Sequence, residues 1–213
     1  MTERPQGSTA SFTPTNTAAD PSLFLDLTGT YRAQLEVTDS NGMTSCAPST
    51  VVIVATPDQD IHLQLVWDTP GDNDQTDGSG ADLDIHYKRD SDPWNGDMGD
   101  LYWHYPDRDW GVQGDMTDDP SLDIDDTNGA GPENVSHDNP PDDTYSVGVY
   151  YYADNGYGPS YATVRIYIAG ALAQEFDNKF LAATGKFWYV ADLEWPSATI
   201  TPIDQVTDNF PTP

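Results

Sequence analysis

"GSGADLDIHYKR" (78–89) alternates with a period of two, and "SLDID" (121–125) repeats the device. Side chains at i and i+2 of a strand share a face. Leu83 and Ile85 are therefore expected in a core, with Asp82, Asp84 and His86 opposite. Likewise Leu122 and Ile124 are expected inside, and Asp123 and Asp125 outside. Like charges about 6–7 Å apart on one strand repel and gain nothing from packing. If the two strands are neighbours, four carboxylates converge, and a cation or protons must neutralise them.

The rest of the chain has the same texture. Its 213 residues suffice for one large or two small domains. Only 37% are hydrophobic, but 12 Tyr and 6 Trp supply large bodies with polar tips. No segment holds a 3.6-residue apolar period. Strand signals fall at 61–67, 81–88, 101–105, 121–125, 144–152, 161–168, 171–176, 186–195 and 198–203, with a tight hairpin around Gly170. Short strands with turn-rich joints define an all-β chain, a jelly-roll or immunoglobulin-like β-sandwich. The acidic connections 68–80, 89–100 and 106–120 exceed the usual loop length, as functional or ion-ordered loops do.

Charge narrows the partners. The net charge is −28, from 36 acids against 8 bases, which excludes nucleic acid because nothing here replaces phosphate counterions. Residues 68 to 143 hold 22 of the acids and only Lys88, Arg89 and Arg108 as bases. A uniformly salt-adapted surface would not concentrate charge in this way. Cys46 is the sole cysteine, so no internal disulfide forms. No apolar run approaches the ~20 residues of a membrane helix, and "MTERPQGSTA" has no signal-peptide core.

Calcium suits the acidic segments, because it takes six to eight oxygens from carboxylates, carbonyls and amides on pliable loops. The candidate ligands are Asp68, Asp82, Asp84, Asp123, Asp125, Asp126 and Glu133, with Asp72, Asn73, Asp74, Asp77 and Asn128 nearby in sequence. No EF-hand loop is present, and His62, His86, His104 and His137 lack ligand spacing for a softer metal. The competing reading is a solvated acidic face that holds no ion.

Trp94, Trp103 and Trp110 fall in or near the acidic loops and are candidate ligand-binding residues, the bland alternative being core filling. No nucleophile elbow or nucleophile–base pair can be assembled, and the crowded aspartates suit a cation better than the separated carboxyls of a glycosidase. No enzyme is expected.

Two resemblances add to this. "GTYRAQLEVTDSNG" followed by "STVVIVA" resembles the end of a PKD domain, an immunoglobulin-like β-sandwich of surface and secreted proteins. Gly29, Tyr31, Leu35, Val37, Asp39 and Gly42 carry the likeness. The opening strands of such a domain are missing, so residues 1–56 read as a partial module. "LVWDTPGD", "ADLDIHY", "LDIDDTNGAGPENV" and "DDTYSVGVYYYADNG" are similar to the uncharacterised YfaP-like family of bacterial secreted proteins. The expected organisation is 1–56, a linker at 57–60, an acidic β-sandwich at 61–204 and a tail at 205–213.

These resemblances imply an extracellular or cell-surface location. The partial first module leads us to expect a start inside a longer parent chain bearing other β-domains. The expected function is a calcium-stabilised adhesion or accessory module. The alternatives are a carbohydrate-binding module of a secreted hydrolase, with a polysaccharide or cell-surface ligand, and a structural spacer.

Overall fold

The computed structural model describes residues 1–96 and 99–211. Its described residues contain no helix, and strands make up 48% of the chain. The chain divides into two compact units, Met1–Thr56 and Pro57–Pro213.

The first unit holds β1 (Phe12–Thr13) and β2 (Ser22–Leu23), paired with each other, and the longer β3 (Gly29–Leu35) and β4 (Ser49–Ala55). Its small core is built around Tyr31, which is fully buried. The Tyr31 hydroxyl lies 2.9 Å from Asp26 Oδ1 and 2.8 Å from the Leu27 carbonyl. Ser8 Oγ donates to the same aspartate at 2.6 Å. On the outer edge of β3, Thr2 and Glu3 bond to the Arg32 backbone.

The second unit is the β-sandwich. Its strands are β5 (Ile61–Asp68), β6 (Asp82–Arg89), β7 (Asp100–Leu101), β8 (Pro120–Ile124), β9 (Glu133–His137), β10 (Thr144–Ala153), β11 (Ser160–Ile168), β12 (Ala171–Leu181), β13 (Lys186–Glu194) and β14 (Thr199–Asp208). One sheet runs β14-β13-β10-β6-β7 and the other β12-β11-β5-β9-β8, with every pairing antiparallel. The alternation of each strand explains the core: Leu63 and Leu65 from one sheet meet Leu83, Ile85, Val147 and Val149 from the other. β11 and β12 join through Ala169 and Gly170, both at positive φ, between the paired residues Ile168 and Ala171. That is the two-residue turn whose twist suits a hairpin.

Three sequence expectations change. The 101–105 stretch leaves the sheet after Leu101 and folds back as a Tyr102–Tyr105 bridge. Residues 133–137, which carry no strand signal in the sequence, form β9. Above all, the Asp82–Asp84–His86 side of β6 is not a solvent face, for all three residues are buried. The His86 ring stacks on Tyr102 at 4.8 Å, meets Phe210 edge-on at 5.0 Å, and bonds Asp100 Oδ2 through Nδ1 at 2.8 Å. Segments distant in sequence cover this face, so alternation alone could not show its burial.

Candidate metal centre

The centre forms where one sheet runs short. β7 pairs with Tyr87 and Lys88, so among the described residues the first half of β6 has no strand on that edge. Glu133, the first residue of β9, belongs to the other sheet, and its Oε2 accepts the Ile85 N–H at 2.6 Å. Asp125 follows directly on β8. Ligand oxygens of Asp84, Asp125 and Glu133 lie within 4.8 Å of one another. Residues from both sheets thus converge at one edge of the sandwich.

The turn that delivers Glu133 depends on close packing. Gly131 has a φ of +84°, and a Cβ there would lie 3.0 Å from the Leu65 carbonyl and from the Trp67 ring. Upstream, loops 68–80 and 125–132 run backbone to backbone. A Cβ on Gly80 would stand 2.5 Å from the Asn128 carbonyl oxygen. The Trp67 N–H donates to Ala130 O at 2.9 Å, and its indole N–H to Ala81 O at 3.2 Å.

The electrostatics are unfavourable as they stand. Asp84 is 2% exposed and Glu133 wholly buried, yet Asp84 Oδ2 and Glu133 Oε1 accept no hydrogen bond among the described residues. Asp82 Oδ1 is in the same condition. Burial, then the charges of Asp82 and Asp125, push the Asp84 carboxyl up to about 8. Burial, then Asp125 and Asp126, raise Asp82 to about 6. Glu133 is pushed well above the carboxylate range by burial and by Asp84, against the pull of the Ile85 N–H. Unpartnered buried carboxylate oxygens cost free energy until a proton or a cation meets them. The donors are all carboxylate oxygens, without thiolate or imidazole, which suits a hard cation.

The other candidate ligands lie apart or at the margin. β6 and β8 belong to different sheets, so they are not the neighbours the acidic pattern suggested. A register shift between Leu122 and Ile124 turns Asp123 outward, where it accepts hydrogen bonds from Ser121 and Ser136 hydroxyls. Asp68 is exposed and accepts from Gln75 Nε2 at 2.8 Å. Asp126 is half-buried and accepts the Asn128 N–H at 3.0 Å; burial raises its pKa.

The tryptophans separate in the same way. Trp110 is 2% exposed and stacks on Tyr145 at 5.6 Å, so it is core and no ligand platform. Trp103 is 42% exposed, with Tyr152 beside it at an interplanar angle of 67°, which gives no flat stripe. Trp94 is half-buried against Phe187 and Tyr189. It walls a cleft of about 470 Å³ shared with Lys88, Asp90, Ser91 and Asp92. Sequence reasoning missed the Ile85 amide and Tyr189. A backbone donor carries no sequence signal, and Tyr189 reads as an ordinary strand residue.

Comparisons with protein-family models, with curated proteins and with solved structures find no match for this chain.

Proposed function

We propose that the second unit is a calcium-stabilised β-sandwich module of an extracellular or surface protein, and that its task is recognition, as in adhesion or accessory binding. One observation carries this reading: two buried carboxylate oxygens, on Asp84 and Glu133, lack partners among the described residues and lie beside Asp125 where the two sheets meet. A divalent ion there replaces mutual repulsion with attraction and bridges β6 to the β8–β9 turn. Asp82 and Asp126 supply further negative potential, and the loop glycines let backbone carbonyls turn toward an ion. Calcium is favoured over magnesium because these donors come from two buried strand residues and one exposed loop residue, not from a compact octahedral cage.

The recognition part of the reading draws support from the cleft beside Trp94. It combines two aromatic rings with an ammonium and carboxylates, the mixed lining with which proteins hold a polar ring such as a pyranose. The calcium reading is tested by titrating chelated protein with calcium, magnesium and zinc in a calorimeter, with melting followed in parallel. Calcium binding should raise stability by RT ln(1 + [Ca]/Kd), about 4 kcal/mol at a thousandfold excess over Kd. Identical melting in chelator and in millimolar calcium, with no heat of binding, would overturn it.

A further inference from the structure

From the edges of the sheets we infer that β4 of the first unit is a pairing edge, and that its occupant is β4 of a second copy of this chain. Every other outer edge of the longer sheets is blunted. β14 contains Pro202 and a left-handed Asp204 beside a register shift. β12 carries Glu175, Asp177 and Lys179, with Asn178 left-handed and two register shifts against β11. β8 begins at Pro120 and is bulged at Asp123, and β7 is two residues long. The outer edge of β3 is occupied by Thr2 and Glu3. Bulges, prolines, charges and brevity are the devices by which proteins keep an edge from recruiting another strand.

β4 has none of them. It reads Ser-Thr-Val-Val-Ile-Val-Ala, pairs with β3 over all seven residues without a register shift, and has no strand on its other side among the described residues. Val51, Val52 and Val54 are exposed, Val54 by 65%. Alternate N–H and C=O groups of such an edge project outward as a template for a further strand.

Charge selects the second copy. The chain carries −28 overall, which opposes self-association, but residues 1–56 hold only five acids and two arginines, and β4 holds no charge at all. Antiparallel pairing of β4 with itself is isologous. The register that pairs all seven residues puts Val52 on the two-fold axis, Val51 opposite Ile53 and Thr50 opposite Val54. No like charges meet, and β-branched residues face one another across the strands, as strong pairs do. The product is a four-stranded sheet, β3-β4 continued by the same ribbon of the second copy. Two seven-residue edges bury less than the roughly 1,600 Å² of a stable interface, so the dimer forms in the micromolar range or above.

The test is sedimentation of the full chain from about 1 μM to 1 mM, in reductant so that the exposed Cys46 cannot crosslink. A monomer–dimer equilibrium is expected, and the double variant Val52→Lys, Val54→Lys should remain monomeric throughout. Both valines are solvent-exposed within one chain, so the variant should keep its circular dichroism and melting. In a Cys46→Ser background, Val52→Cys should form an intermolecular disulfide on oxidation, because facing strand residues lie within the bridging distance. A monomer at every concentration, or a dimer that survives both lysines, would overturn the inference.

Discussion

Glu133 accepts the backbone N–H of Ile85 at 2.6 Å, and through that one bond the edge of one sheet is tied to the first residue of a strand in the other. The remaining oxygen of the same carboxylate has no hydrogen-bond partner among the described residues and lies beside Asp84 and Asp125. One half of Glu133 is therefore bonded across the two sheets, and the other half is open to a proton or a cation.

Asp84→Asn should have opposite effects with and without calcium. In chelator above pH 8, where Asp84 has lost its proton, it removes a buried negative charge, and the folded state should gain about 1–3 kcal/mol. In millimolar calcium the variant should lose the ion-dependent rise in melting temperature that the parent shows. Asp68→Asn and Asp123→Asn, on exposed side chains outside the triad, should keep that rise. Melting curves of the four proteins in both buffers check this, and equal losses for all three variants would point to diffuse ion condensation.

Acidity should act on the calcium-free protein in a defined window. Asp84, raised to about 8, holds a proton in the folded state at a pH where the unfolded carboxyl, near 3.8, has lost it. Folding therefore takes up a proton between those values, and stability falls as pH rises through 8, by up to about 1.4 kcal/mol per pH unit. Below about 6.5 the gain per pH unit should shrink. There His137, held neutral by burial down to about 4, opposes protonation that the unfolded chain accepts freely. Denaturant titrations at pH 6.5 and 8 should show the chelated protein more stable at 6.5. Calcium, which favours the ionised acids, should abolish or reverse that difference.

Trp110→Ala and Trp103→Ala should separate cleanly. The first empties a site stacked on Tyr145 and tilted against Tyr87, and should cost about 3–5 kcal/mol. The second trims an exposed ring and should stay within about 0.5 kcal/mol. Urea unfolding of the two variants measures both.

Gly80→Ala should weaken calcium binding without touching a carboxylate. The new methyl would press on the Asn128 carbonyl, and the displacement passes directly to Asp125 and Asp126. A cost of about 1–3 kcal/mol is expected, as for other overpacked contacts. Calcium affinity measured by titration should fall with it, whereas Gly78→Ala, with open space around it, should change neither.

Much of the architecture can be read from residues alone. Alternation in 81–88 and 144–152 places Leu83, Ile85, Val147 and Val149 inside, because inward residues of a sandwich strand must be apolar. The opposite side of β6 escapes such reading, since what covers His86 is Tyr102 from a loop and Phe210 from beyond β14. β9 was invisible for a related reason: five residues, four of them polar, with no alternation to betray them. Glu133, Asp84 and Asp125 stand out in the sequence as acids near glycines. Their derivation from two different sheets does not, because strand order is set by tertiary pairing. Trp110 shows the converse, a loop residue by sequence and a core residue by packing.

The central position of β5 has a consequence for the order in which the chain acquires structure. Its partners on either side, β9 and β11, lie far downstream, with Ile61 opposite His137 and Ile168. During synthesis β5 therefore waits through about 70 residues before β9 arrives, on the order of 4–14 s at ribosomal rates. Throughout that interval Ile61, Leu63, Leu65 and Trp67 have no sheet to enter. The aspartates at 68, 72, 74 and 77 follow immediately, and none of them belongs to the carboxylate triad of Asp84, Asp125 and Glu133 or to its charged neighbours Asp82 and Asp126. A run of charge abutting an orphan hydrophobic strand is how sequences restrain premature association. Neutralising those four residues should leave the finished sandwich intact while lowering the yield of chains that reach it.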